Sequence, residues 1–435
     1  MALVAALTAS APGAGYAAQS ASPLLTLEDA RRTALAGHPD IRASDFDRFA
    51  AAEAVKIARS GYLPQAFGSA VQAVAPGGTR IGAYNALSDP TVIERTAVGV
   101  GISQYVTDFG RTADLIRATQ ADLASRVAAG DATRDTVVLD VTEAYFEVLR
   151  ADALLAVANA TLRERNTLVR QAKALARAGL RSTLDVSIAE RDASSAEQAI
   201  ISASNGRVNA YAALAEALGS GDYRVYRLQD VRALPPMPPS LDTMIATAMK
   251  QNPQLAQAED VRAAAEARAA ATARLTSPTV AGYGFFGASP FKESNVALAS
   301  PYAAGGVALN VPIYTGGELA AERRQAEDEA ASAAERAVEA RNALLRDVRT
   351  AFENVRTARG NIDVSERLLR TARQALVLTE ARYRIGLSSI VDLSQAQLAE
   401  QQAAIDRTNA TYDYVIQEAA LQYAAGAIAA ASPHG

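Results

Sequence analysis

Residues 178–185 read Ala178-Gly179-Leu180-Arg181-Ser182-Thr183-Leu184-Asp185, and residues 385–392 read Ile385-Gly386-Leu387-Ser388-Ser389-Ile390-Val391-Asp392. Glycine, leucine, serine and aspartate return in the same order at a constant offset of 207. Both stretches describe a turn between helices. A glycine suits the left-handed residue that ends a helix. The S-x-x-D that follows, Ser182 to Asp185 and Ser389 to Asp392, is a capping box that starts the next helix. Two antiparallel helical hairpins are expected, each with its tip at one of these turns.

The register extends outward from the tips. At the same offset Gly110 matches Gly317, Asp140-Val141 matches Asp347-Val348, Ala144-Tyr145 matches Ala351-Phe352, and Gly219 matches Gly426. Nearer the start of each copy the offset is 214, with Leu27, Pro39 and Pro64 matching Leu241, Pro253 and Pro278. The difference of seven residues falls in a Gly/Pro/Asn-rich connection near residues 75–95. One register held over so many landmarks marks an internal duplication. We divide the chain into a signal peptide (1–18), a first repeat (24–219), a Pro-rich linker (220–239), a second repeat (240–426) and a C-terminal tail (427–435).

Each repeat is expected to have the same parts. Thr26 or Ser240 caps a short helix, which stops at His38-Pro39 or Asn252-Pro253 because a residue before proline leaves the helical region. A second helix runs to about Gly61, or to Leu275. Strands follow near 65–75 and 96–107, then near 279–288 and 302–313. In the second strand of each pair Val98, Val100 and Ile102, or Val307, Leu309 and Val311, share one face. Gly99, Gly101 and Ser103, or Gly306, Ala308 and Asn310, share the other. That pattern suits a strand between lipid and a wet lumen, and equally a half-buried strand of a soluble sheet.

No proline occurs between Pro90 and Pro235 or between Pro312 and Pro433, so each stretch can hold a long helix. Asp108 caps one, and Thr315 with Glu318 forms a T-x-x-E box for the other. About seventy residues at the helical rise span roughly 100 Å. Val141, Val148, Leu155, Leu162 and Val169 recur every seven residues, as do Val348, Val355, Ile362, Leu369 and Leu376. Ala144, Ala151, Ala158 and Ala172, and Ala351, Ala358 and Ala372, lie between them. Branched residues alternating with alanine make a closely packed coiled-coil seam. Pro235-Pro236-Met237-Pro238-Pro239 reads as a stiff linker between the copies.

Composition narrows the function. The net charge is −4 with 21% charged residues, so no strong field favours nucleic acid. The absence of cysteine excludes disulfides, thiolate metal sites and lipid attachment to an N-terminal Cys. The two histidines are His38 and His434, too few and too far apart for a histidine metal centre or triad. No phosphate loop or nucleophile elbow occurs, and no cofactor is implied. Residues 1–27 include an apolar run, Ala2–Ala9, then small residues, a secretory signal with cleavage near Ala17 or Ala18; an Ala-rich disordered tail is the alternative. No Lys or Arg precedes the apolar run, which points to an earlier natural start. With no long apolar helix elsewhere, membrane insertion would have to use strands.

Together these motifs resemble the TolC family of outer-membrane efflux proteins. The carriers are Val106-Thr107-Asp108-Phe109-Gly110-Arg111 and its partner Pro312-Ile313-Tyr314-Thr315-Gly316-Gly317, Ala144-Tyr145-Phe146, and the two hairpin turns. The resemblance covers essentially the whole chain after the signal. It implies a mainly α chain with a small membrane β-barrel contribution, built from two tandem strand-strand-long-helix-helix repeats. Four strands per chain would be pooled by a homotrimer into a twelve-stranded barrel in the outer membrane, with a helical barrel in the periplasm. Such a duct is a passive conduit, not an enzyme. It docks a periplasmic adaptor and an inner-membrane pump of RND or ABC type, for efflux or type I secretion of drugs, small molecules or unfolded protein. The motifs name neither the cargo nor the pump class.

The resemblance also implies site residues. Inward coiling of the second-repeat helices would close the periplasmic end, with Asp392 in an acidic constriction ring. Tyr383 would help to hold the closed state, with Asp185 as its first-repeat partner. Ser388 stands where the family's arginine bonds across to the first repeat, and Gln395 where a second aspartate would be, so this gate should be held differently and its ring should be less negative. Gly179, Leu180, Gly386 and Leu387 match the tips that meet the adaptor. Asp392 and Asp185 are also expected to cap their own helices, and the tip glycines to serve the turns alone if no adaptor binds. A soluble periplasmic coiled-coil adaptor or scaffold is the alternative reading; adaptors, however, carry one hairpin beside a strand-rich domain, whereas here the whole unit is duplicated.

Overall fold

The structure, a computed structural model, describes residues 23–74, 92–221, 223–230, 233–293 and 296–429. The expected signal peptide, residues 75–91 of the Gly/Pro/Asn-rich connection and residues 430–435 of the tail lie outside the described residues.

The chain is mainly helical, and its elements follow in two series. The first comprises β1 (Leu24–Leu25), α1 (Leu27–Gly37), α2 (Pro39–Ser60), β2 (Gln65–Val74), β3 (Val92–Thr107), α3 (Arg111–Arg177) and α4 (Thr183–Ala217). The second comprises β4 (Arg227–Leu228), α5 (Leu241–Gln251), α6 (Pro253–Ala273), β5 (Thr279–Glu293), β6 (Val296–Asn310), α7 (Glu318–Arg384) and α8 (Ile390–Ala424). Helices α3 and α7 each have 67 residues, and α4 and α8 each have 35.

Local chemistry explains most helix ends. Thr26 Oγ1 accepts from the Asp29 amide (3.1 Å) and Ser240 Oγ from the Thr243 amide (3.2 Å). The short helices stop at His38 and Asn252, whose side chains then cap α2 and α6. Asp108 caps α3 through Gly110 N (3.1 Å) and Thr112 N (2.7 Å). These bonds to the ionised form hold its carboxyl below the usual range against the opposing effect of burial. The expected Thr315–Glu318 box does not close. Only a long bond from Leu319 N to Thr315 Oγ1 (3.5 Å) forms, and the preceding glycines Gly316 and Gly317, both at positive φ, carry the turn.

The described residues form two compact units. One contains residues 23–36, 140–235 and 361–416. Val141, Val148 and Ile362 from the expected seams are buried in it. Its two-stranded sheet pairs β1 with β4 in parallel. The expected Pro-rich linker, 220–239, is strapped down by tyrosines. Tyr145 Oη meets Gln229 N (2.9 Å) and Gln229 O (2.8 Å), Tyr211 Oη donates to Tyr226 O (2.7 Å), and Tyr414 Oη donates to Pro235 O (2.8 Å). All three rings are buried, which anchors an irregular segment that has few backbone partners of its own.

The other unit contains residues 37–139, 236–360 and 417–429. Its sheet has the order β2-β3-β5-β6, every pairing antiparallel. Among the described residues β2 pairs only with β3 and β6 only with β5, so both outer edges are open. Val98, Val100, Ile102, Val307 and Leu309 are all exposed, and the register sets them on one face. On the opposite face Phe67 and Phe285 meet edge to face at 6.2 Å over Gly101. Three strands differ in extent from expectation: β3 begins at Val92, β5 continues to Glu293, and β6 runs from Val296 to Asn310. The strands run through Pro290 and Pro301: Pro301 lies on the edge strand, and the β3–β5 ladder resumes on either side of Pro290. Proline is tolerated where no ladder hydrogen bond is required. Among the described residues no helix is long and apolar enough to cross a membrane.

Candidate functional site at the hairpin tips

The two tips lie in the first unit and start from the same backbone device. Gly179 has φ +73° and Gly386 has φ +82°. Leu180 N bonds to Leu175 O (2.9 Å) and Leu387 N to Arg382 O (2.8 Å), closing each helix with a six-to-one turn. No atom would meet an added Cβ at either glycine, so backbone angle, not space, selects the residue.

The serines and aspartates then diverge. In the second turn the box closes as read: Ser389 Oγ accepts from Asp392 N (3.1 Å), and Asp392 Oδ2 accepts from Ser389 N (2.9 Å) and Ser388 Oγ (3.0 Å). The Ser389 amide, with the two hydroxyls, holds the exposed Asp392 carboxyl below its usual range. In the first turn only the hydroxyl caps, Ser182 Oγ accepting from Leu184 N (3.0 Å). The expected cap by Asp185 is not made. Its carboxylate lies 3.5 Å from Tyr383 Oη, because a buried phenol on the facing helix offers a donor there.

Tyr383 joins the hairpins. Its ring is 2% exposed and packs with Leu168, Ala172 and Ala189 of the first hairpin and Ile390 and Leu393 of the second. Burial pushes its phenol upward, and Asp185 adds to the shift. Arg181, from the first turn, lies over the ring with its guanidinium carbon 4.5 Å from the centroid. It donates to Tyr383 O at 2.7 Å and approaches Ser388 O at 3.4 Å.

A second contact between the hairpins is built on an ion pair within the first. Arg165 on α3 is buried, donates to Gln397 Oε1 on α8, and lies 3.7 Å from Asp192 on α4. Ser394 on α8 donates to the same Asp192 carboxylate. Burial lowers the Arg165 pKa, with Asp192 opposing that shift. Beside this node is a groove of about 370 Å³ whose lining includes Glu164, Glu380, Tyr383 and Gln397. Burial raises the Glu164 carboxyl, and Glu400 and Glu380 add to it.

Thus Tyr383 and Asp185 come together, and Ser388 joins them only through its backbone carbonyl. Asp392 and Gln395 are exposed and apart from that contact. Gly179, Leu180, Gly386 and Leu387, expected to meet an adaptor, lie on the turns, with Leu180 and Leu387 strongly exposed. Sequence reading missed Arg181, Arg165 and Asp192. A signal for Arg181 was present: it is the counterpart of Ser388 at the 207 offset, so the first turn carries a cation where the second carries a hydroxyl. Nothing comparable marks Arg165, one of many arginines on a polar helix.

Residues 30–220 and 244–427 match the family described as outer membrane efflux protein. Outer membrane protein TolC of Vibrio cholerae serotype O1 is 28% identical over 400 residues, covering 90% of this chain and 88% of that one. The fold is also that of a membrane protein from Pseudomonas aeruginosa, with TM-score 0.81, 23% identity, and coverage of 92% and 93%. The Campylobacter jejuni CmeC outer membrane channel superposes with TM-score 0.80 at 18% identity, covering 92% of this chain and 86% of that one.

Proposed function

Because the chain belongs to the outer membrane efflux protein family, we propose that three copies pool their strands into one twelve-stranded barrel and that the paired hairpin tips form its periplasmic gate. The protein is an outer-membrane efflux channel; a soluble adaptor is not favoured.

The open sheet carries the trimer reading. Four antiparallel strands with free edges at β2 and β6 would leave backbone donors and acceptors unpaired in lipid, at several kcal/mol each. Pairing β6 of one copy with β2 of the next removes both edges. The exposed face of Val98, Val100, Ile102, Val307 and Leu309 then meets lipid.

For the gate, Tyr383 and Asp185 tie the second hairpin to the first, and Asp392 supplies the constriction. Its carboxylate stays ionised because its capping bonds favour the charged form. Three such groups around an axis favour cations. Exposed Leu180, Leu184, Ile385 and Leu387 give the tips an apolar surface for a periplasmic adaptor, which couples the channel to an inner-membrane pump of RND or ABC type. The two repeats, 24–219 and 240–426, supply one hairpin each.

Light scattering of the detergent-extracted mature protein tests the assembly: a trimeric mass is expected, and a monomer in the soluble periplasmic fraction would sink the reading. Planar-bilayer recordings test the gate. Asp392→Asn should lower cation preference, whereas an unchanged ion preference would remove Asp392 from the constriction.

A further inference from the structure

We propose that Arg181 is the latch of the periplasmic gate, a first-repeat cation that holds the second-repeat turn shut by grasping its backbone and stacking on Tyr383. The inference rests on the gate reading above and assigns the group that keeps it closed.

The guanidinium makes three kinds of contact with the opposite hairpin. It donates to Tyr383 O at 2.7 Å, reaches Ser388 O at 3.4 Å, and covers the Tyr383 ring at 4.5 Å. Tyr383 O also accepts from Gly386 N at 3.1 Å, so it belongs to the carbonyls that end α7. Those carbonyls carry the negative end of a 67-residue helix, where a cation is favoured. A planar group with several donors can bond two carbonyls and stack on a ring together, which an ammonium cannot do.

The contact also depends little on the side chains it faces. Two of its three targets are backbone oxygens, and at Ser388 the hydroxyl is already committed to Asp392. Moving α7 away from the first hairpin would break all three contacts in one step, which makes Arg181 an all-or-none restraint. Tyr383 Oη to Asp185 is a longer bond, at 3.5 Å, so the main tie runs from the first repeat to the second through Arg181.

The test is single-channel recording of the purified full-length protein, with light scattering to check assembly. Arg181→Met keeps the length and apolar stem but removes the charge and donors. It should raise basal conductance or open probability about tenfold or more, the scale of losing a charged hydrogen bond. Arg181→Lys should give a smaller rise. If Arg181→Met fails to assemble, Arg181→Lys decides: a rise supports the latch and wild-type conductance overturns it. Low basal conductance in wild type and in both Arg181 variants would overturn the latch while leaving the gate intact, with Asp392→Asn still shifting ion preference. A wild-type pore that is already wide, with no effect of Asp392→Asn, would overturn both.

Discussion

Asp192→Ala should loosen α4 against α3, and with it the seat of α8 on the first hairpin, far more than loss of an ordinary surface ion pair would. Arg165 is only 5% exposed and its guanidinium lies 3.7 Å from the Asp192 carboxylate. At an effective dielectric of about 20 that separation corresponds to about 4.5 kcal/mol of attraction. Removing one partner leaves a buried charge held by Gln397 alone and also strips Ser394 of its acceptor. Water entering the truncated site will recover part of the loss, so a net cost of about 2–4 kcal/mol is expected. Hydrogen exchange read by mass spectrometry on peptides of α4 and the start of α8 measures this locally. Protection should fall by about 30-fold to 1,000-fold at 1.4 kcal/mol per decade. The double variant Arg165→Met/Asp192→Ala should recover most of it, because no charge is then left buried. Protection within threefold of wild type in Asp192→Ala, or no recovery in the double variant, would refute the node as a structural tie.

Three further outcomes follow from the geometry. Burial, with Asp131 nearby, pushes the Asp135 carboxyl up to about 6; since its unfolded value is near 4, stability is fully present below about pH 4 and is lost as pH rises through 6. Asp135→Asn should flatten that dependence and stabilise the protein at pH 7.5 by up to about 3 kcal/mol, read as a raised thermal midpoint at pH 7.5 with little change at pH 4. Tyr145→Phe strands the Gln229 backbone and should cost about 1–3 kcal/mol, seen as faster tryptic cleavage at Arg227; as burial pushes the Tyr145 phenol up to about 12, wild type should lose the same strap as pH rises from 10 through 12. Gly101→Val places a side chain where an added Cβ would already lie 2.5 Å from Phe67 and 2.9 Å from Phe285. It should lower trimer yield from the outer membrane while leaving the soluble helical signal intact, and a normal yield would show that the rings can move aside.

Much of the helical framework was legible because its punctuation is local. Gly179 and Gly386 take positive φ whatever surrounds them, and His38 and Asn252 end helices because a proline follows. Val141, Val148, Val348 and Val355, read from heptad spacing, are all fully buried. The strands were less legible, since their ends depend on which neighbour pairs with them: β5 continues past residue 288 and β6 begins before residue 302 because each pairs with the other there. The Thr315–Glu318 box was a false signal, because a capping motif is weak beside two glycines that set the turn themselves.

At the candidate gate, sequence alone determined where the turns fall, which residues occupy equivalent places, and that Asp392 caps its own helix. Those are properties of a few consecutive residues and their backbone angles. Tertiary structure decided the rest: that Asp185 leaves its cap to face Tyr383, that Arg181 reaches Tyr383 O and Ser388 O, and that Arg165 is buried against Asp192 and Gln397. Each of these pairs joins residues on different helices or turns, separated by as many as 232 positions. Helical periodicity fixes which face a side chain occupies on its own helix, but it does not fix which helix lies opposite. Only packing makes that choice, and with it the partner that each charge and each phenol finds.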